Sequence, residues 1–257
     1  CVLYAGYYVL SRGDSFSQMA LNILHIPVNF GCEIGHLWYI YMLIGLYLVT
    51  PIISPWLQQA SKRELEGYLG LWIITTFLPY IHLVYPEVLG EAFWNDTPLL
   101  YYFTGFIGYF ILGYYLKRFG YPSAALSWII LIVGFALSAG IFCSRIDTVP
   151  TVPELELSWG FCTVNVFLMT LGLFSLIGRL SLKGKNAACK LLSDISIKSY
   201  GMYLAHILFL NFYYGLFKSI SDAAYVTIPL IAVCTFITVY IFVYLLSYLP
   251  KSRYIIG

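Results

Sequence analysis

The sequence predicts an all-α, polytopic transmembrane helix bundle, with seven full spans and a truncated first helix. Two observations carry this. The chain is 60% hydrophobic and only 10% charged, whereas water-soluble domains sit near 45–50% apolar and about 25% charged. So few charges cannot cover a hydrated surface, so lipid must solvate most of the chain. The apolar residues also fall into continuous runs of about 17–25 residues, the length that crosses a bilayer as helix. Strict alternation is absent, so a strand reading fails. A backbone in hydrocarbon must satisfy its own hydrogen bonds, which leaves helices.

The full spans are expected near 36–56, 68–86, 99–116, 124–144, 159–178, 197–217 and 225–249. Ahead of them, Cys1–Leu10 is apolar but about half the length of a span. It has neither a charged leader nor a small-residue cleavage site, so it reads as the end of a longer helix and not as a signal peptide. Lysines and arginines set the orientation. Eleven (Lys62, Arg63, Lys117, Arg118, Arg179, Lys183, Lys185, Lys190, Lys198, Lys251 and Arg253) fall on one side, against Arg12, Arg145 and Lys218 on the other. The richer side should be cytoplasmic, with the C-terminus on it. Acidic residues lean outward: Asp14, Glu33, Glu87, Glu91, Asp96, Asp147, Glu154, Glu156 and Asp222. On the outer side, Phe16, Met19, Ala20, Ile23 and Leu24 repeat at helical spacing and predict a short interfacial helix ending before Pro27. The segment 145–158, with Pro150 and Pro153, is expected to be an irregular outer loop.

Polar residues inside spans are costly and usually face the bundle interior. In the span 36–56, His36, Tyr39, Tyr47, Thr50 and Ser54 fall within an arc of roughly 60° at the helical period. They read either as a polar stripe entering a substrate cavity, or as an interfacial aromatic belt with hydroxyls bonded to their own backbone. In the span 197–217, Ser199, Tyr203, His206 and Tyr213 share an arc of roughly 80°. His206 is expected near mid-bilayer, where an ionisable group is either functional or a neutral imidazole bonded to a neighbouring helix. His25 and Glu33 precede His36 closely enough for a carboxylate to orient an imidazole. His82 reads as interfacial, and Asn165 and Asn211 as interhelical glue.

The cationic inner loop of Arg179, Lys183, Lys185 and Lys190 could meet phosphates, although ordinary positive-inside charge is the preferred explanation. A net charge of +2 without a basic run excludes a nucleic-acid partner. The six cysteines are scattered without metal-ligand spacing, so no metal is expected. The nucleophile-elbow, zincin, Walker A and dinucleotide-binding patterns are absent.

Three stretches carry a family resemblance. His36-Leu37-Trp38-Tyr39-Ile40-Tyr41-Met42-Leu43-Ile44-Gly45-Leu46-Tyr47-Leu48-Val49-Thr50-Pro51 resembles the "HLW(F/Y)…lYl..P" span of the acyltransferase 3 family, integral-membrane O-acyltransferases of surface polysaccharides. Phe106–Leu116 resembles its "f..Gy.l" span, and Ile195–His206 is similar to its late "iS..s(y/f)giYl.H" helix. Order and spacing fit over most of the chain.

The resemblance implies one transmembrane acyltransferase 3-like domain over 1–257 lacking its first helices, since the family has ten. It implies a bacterial inner-membrane location. It further implies transfer of an acyl group, typically acetyl, from cytoplasmic acetyl-CoA to a cell-surface or lipid-linked carbohydrate. The early Arg and His thought central to acyl transfer in that family have no counterpart here. On this reading His36, His206 and Tyr203 are the candidate catalytic residues, and Tyr39, Tyr47, Ser199 and Glu33 the candidates for substrate contact. No residue is assigned to the donor. A glycan transporter or flippase is the alternative, but paired Gly/Pro-broken spans in matching halves are missing.

Overall fold

A computed structural model describes residues 2–13, 15–27, 35–85, 99–180, 187–218, 223–250 and 252. Glu33 and Cys32 lie outside the described residues, as do Asp14, Glu87, Glu91, Asp96, Asp222, Lys183, Lys185, Lys251 and Arg253. Every described element is helical: α1 (Val2–Arg12), α2 (Phe16–His25), a 3₁₀ turn (Gly35–Leu37), α3 (Trp38–Gln59), α4 (Lys62–Thr75), α5 (Leu78–Val84), a second 3₁₀ turn (Tyr101–Phe103), α6 (Phe106–Phe119), α7 (Ala124–Arg145), α8 (Val152–Leu155), a third 3₁₀ turn (Glu156–Trp159), α9 (Val164–Gly178), α10 (Ala187–Phe217) and α11 (Ala224–Leu246). The chain divides into two compact units, Cys1–Ser181 and Leu182–Gly257.

Among the described residues, four helical stretches are long and apolar enough to cross a membrane: Trp38–Gln59, Lys62–Val84, Ala124–Arg145 and Ala224–Leu246. The pair Val152–Trp159 and Val164–Gly178, bent by 43°, makes a fifth if taken as one span. Such a set describes a multi-pass membrane protein. The expected span 99–116 overlaps α6, whose 14 residues rise only about 21 Å. The expected span 197–217 lies within α10, which is 31 residues long. Asp194, Lys198, His206, Asn211 and several tyrosines dilute its apolar character.

In the first unit, α2 forms as expected, with the Ser15 hydroxyl accepting from Gln18 N and Phe16, Leu21 and Leu24 exposed. The stretch 145–158 differs from the loop expected there: α7 runs to Arg145, and helical turns fill 152–159. Pro153 sits in the first turn of α8, where its missing N–H has no partner to lose. The Arg145 guanidinium closes the segment by donating to Glu154 O at 3.0 Å.

The span expected at 68–86 is two helices. Pro79 in the first turn of α5 cannot donate to the preceding turn, so the helix breaks at Thr76–Phe77. The Thr76 carbonyl freed by the break accepts from Val164 N, the first residue of α9, at 3.0 Å. One orphan acceptor thus meets one orphan donor.

The core of this unit gathers Leu57, Leu65, Leu69, Trp72, Ile111, Leu116 and Phe167. Trp72, fully buried, lies across Gly108 of α6 and donates Nε1–H to Gly105 O at 3.0 Å. A Cβ on Gly108 would sit 2.0 Å from the indole, so glycine is required there. α7 and α9 cross through reciprocal glycines: Gly134 faces Met169 N and Asn165 O, and Gly172 faces Leu131 N and Ser127 O. Small residues that bring backbones close drive helix association where lipid is as apolar as the side chains. Beside the crossing, Asn165 is the interhelical glue expected of it. It is fully buried, accepts from Tyr80 OH at 2.6 Å, and donates to Ser138 Oγ at 2.7 Å and Ser158 O at 2.8 Å. At the other end of this unit, Arg118 caps α3 by donating to Leu57 O and Ala60 O, a cation on a helix C-terminus.

The second unit is a hairpin of α10 and α11 around Met202, Val239 and Val243. Asn211 is exposed there. At one end Lys198, 8% exposed, pairs with Asp194, whose other oxygen accepts from Tyr240 OH at 2.6 Å. The ammonium also lies 5.2 Å from the Tyr244 ring centre.

Candidate active site

In the first unit, His36 sits in a 3₁₀ turn and not in α3 itself, whose first residue is Trp38. The ring of His36 meets the edge of Tyr4 on α1, centroids 5.3 Å apart. Leu37 beside it is buried, and Trp38 packs against Phe106 and Phe161 at 5.3 and 5.1 Å. The turn is held by this aromatic cluster, which fixes the entry of α3 relative to α6 and α9.

Below it, the sequence stripe divides. Thr50 Oγ1 donates to Leu46 O at 2.6 Å, and Ser54 Oγ to Thr50 O at 2.7 Å. These hydroxyls serve their own helix beside Pro51 and Pro55, which break its regular bonding. Tyr39 is 38% exposed and Tyr47 67% exposed, so neither is enclosed within this unit. Tyr41 instead reaches back, its hydroxyl donating to Ile26 O at 2.6 Å. His25 is exposed at the end of α2.

In the second unit, α10 and α11 enclose a groove of about 440 Å³. Ser199, Tyr203 and His206 line it from α10, and Thr235 from α11; the rest of the wall is apolar. Three of the sequence candidates therefore share one groove. Tyr213, counted on the same arc, bonds Thr238 at 2.7 Å and is not among the groove residues.

His206 Nδ1 lies 2.6 Å from Tyr203 O. A carbonyl oxygen can only accept, so Nδ1 is the donor in this contact. The backbone of α10 thus orients the imidazole through Nδ1. The Tyr203 ring stands 5.7 Å from the imidazole, centroid to centroid. Ser199 Oγ donates to Ser196 O at 2.8 Å, so its remaining lone pairs are what it offers the groove.

Thr235 was not legible in the sequence. α11 is apolar all round and also carries Thr227 and Thr238, so no periodicity singles out one threonine. An imidazole beside hydroxyls in an apolar groove suits proton transfer from a hydroxyl or to a released thiolate. Among the described residues, no three His, Cys, Asp or Glu side chains converge to hold a metal.

Residues 1–248 match the family model described as an acyltransferase domain, that of acyltransferase 3. The chain belongs to that family. No curated protein and no solved structure shows a significant match. The family match spans both units and includes all three stretches whose pattern first suggested it. It makes this protein a membrane acyltransferase by family, and it sets the chemistry against which His36 and His206 are to be read.

Proposed function

We propose that this acyltransferase carries an acyl group, acetyl in the simplest case, from cytoplasmic acyl-CoA to a hydroxyl of a cell-surface or lipid-linked carbohydrate. We place it in the bacterial inner membrane with its C-terminus in the cytoplasm, on the strength of eleven inner lysines and arginines against three outer ones. The observation that carries the reaction is the groove in which His206, its Nδ1 on Tyr203 O, stands among Tyr203, Ser199 and Thr235.

In the reaction, the thioester C–S bond breaks and an ester C–O bond forms. The proton of the sugar hydroxyl ends on the released thiol. His206 Nε2 is the group suited to relay that proton, or to hold the acyl group between the two half-steps. Tyr203 and Ser199 are contacts for the substrate in the same groove. His36, at the start of α3, is assigned to the acceptor side, with Tyr39, Tyr47 and Glu33 as further acceptor contacts. No metal takes part in this scheme.

Cells fed labelled acetate test the reading. Base-labile label on surface carbohydrate that disappears on gene deletion and returns with the wild-type gene supports it. Label unchanged by deletion, with a glycan instead accumulating inside the cell, would point to a transporter.

A further inference from the structure

The lysines and arginines at one end of the first unit divide by what they already hold. Lys62 pairs with Glu66 at 3.7 Å, Arg118 donates to Leu57 O and Ala60 O, and Arg179 donates to Tyr121 O and Pro122 O. The carboxylates there are engaged as well: Glu64 accepts from Ser61 N, and Glu66 also accepts from Tyr115 OH. Arg63 and Lys117 are exposed and, among the described residues, have neither a hydrogen bond nor an ion pair. Lys117 lines a groove of about 360 Å³ between α3 and α6, and Arg63 is not among the residues of that groove.

The groove grades from polar to apolar. Lys117 and Tyr114 stand on α6, with Gln58 on α3; the Gln58 amide, like the Lys117 ammonium, has no partner among the described residues. Phe110 precedes Lys117 by seven residues, about 10 Å of helix rise, and forms the apolar part of the trough with Leu57 and Gly113. Gly113 leaves this wall open, since a Cβ there would meet nothing within 4 Å. No Asp or Glu is among the groove residues. An occupant must therefore bring its own negative charge and an apolar arm. One lysine balances one charge, which matches the phosphodiester of a phospholipid better than the several phosphate charges of a nucleotide coenzyme. Basic pockets between helices on the cytoplasmic side are where anionic headgroups bind.

We propose that the α3–α6 groove is a site for one anionic phospholipid of the cytoplasmic leaflet. Its phosphodiester sits on Lys117 and Gln58, and one acyl chain runs along Leu57, Phe110 and Gly113. The choice of leaflet rests on the orientation proposed above; the site itself is independent of the acyl-transfer reading. A lipid seated this way fills the gap between α3 and α6 beside the helix-end bonds that Arg118 makes.

The test is lipid binding by the full chain in a neutral detergent, read by native mass spectrometry, with phosphatidylglycerol and phosphatidylcholine as probes. Wild type should take up one phosphatidylglycerol in preference to phosphatidylcholine, and its thermal midpoint should rise with that binding. Lys117→Gln should weaken phosphatidylglycerol about fivefold, the worth of one lysine at an anionic lipid surface, and leave phosphatidylcholine unchanged. Lys117→Arg should keep most of the binding. Arg63→Gln removes another exposed cation outside the groove and should change nothing. Gly113→Leu fills the trough without a clash at Cβ and should weaken both lipids.

Equal binding of the two lipids by wild type overturns this site. Equal losses in Arg63→Gln and Lys117→Gln do the same, because diffuse surface charge then explains the preference. Unchanged binding in Gly113→Leu also overturns it. Acetyl-CoA that displaces phosphatidylglycerol in a Lys117-dependent way assigns the groove to the acyl donor and removes the lipid from it. A Lys117-dependent preference for phosphatidylglycerol that acetyl-CoA leaves untouched supports the site, whether or not the protein transfers acyl groups.

Discussion

Replacing Gly172 by alanine tests the packing that holds α7 and α9 together. A Cβ there would meet Leu131 N and Ser127 O, each at 2.7 Å. Ordinary contact begins at 3.4 Å, so the helices must separate by about 0.7 Å at the crossing, with contact distances of this kind set by packed interiors. The obstructing atoms are backbone, and no side chain can rotate away to relieve them. Overpacking of this sort costs roughly 1–3 kcal/mol. At about 2–4 °C per kcal/mol for a chain of this size, the thermal midpoint in detergent should fall by several degrees. Gly140 on α7, the partner helix of the crossing, is the control, because a Cβ there meets nothing within 4 Å. Gly140→Ala should hold the midpoint or raise it slightly through helix propensity. Gly134 faces Met169 N at 2.7 Å from the other side of the crossing. Once the helices have parted for one alanine the second costs less, so the double variant should lose less than the two single losses combined. A Gly172→Ala midpoint equal to that of Gly140→Ala would refute the reasoning.

Three further outcomes follow from the structure. Asn165→Leu removes the partner of Tyr80, Ser138 and Ser158 O and should cost about 2 kcal/mol, since it strands buried polar groups. Thermal unfolding against Tyr80→Phe, expected near 0.6 kcal/mol as for single polar contacts between membrane helices, gives the comparison. The Asp194 carboxyl is held below its usual range, first by Lys198 and then by Tyr240. Its contribution to hairpin stability is therefore present above the ordinary carboxylate range and is lost only as pH falls below it. Unfolding of wild type relative to Asp194→Asn should show a constant gap between pH 7 and pH 5, closing in stronger acid. His36→Ala should abolish or strongly reduce carbohydrate acylation while size-exclusion and thermal profiles stay normal. Full activity in that variant removes His36 from the site.

The helical class was legible because composition left lipid as the only solvent, and lipid leaves the backbone only helix. The count of spans was less so. Hydropathy treats 68–86 as one run, and Lys62–Val84 does count as one crossing stretch, although Pro79 and the paired Thr76 and Val164 backbone groups break it into α4 and α5. α6 and α10 are helical where spans were expected, yet one is short and the other is diluted by polar residues. For the site, helical spacing placed Ser199, Tyr203 and His206 on one face, and all three line a single groove.

The same counting says less around His36, because a 3₁₀ turn precedes α3 and shifts the register from which the arc was drawn. It also could not foresee that Thr50 and Ser54 would turn back onto their own helix beside two prolines. Thr235 lay beyond sequence reading altogether. What marks it is one buried hydroxyl without a hydrogen-bond partner, and a helix that is apolar on every face gives no sign of that.

The most direct measurement is transfer in proteoliposomes, with radiolabelled acetyl-CoA as donor and surface carbohydrate as acceptor. The account predicts ester-linked, base-labile label on the sugar, dependent on His206 and lost in His206→Ala. Label that stays on the thioester with every acceptor tried, or that moves to sugar at the wild-type rate without His206, would contradict it.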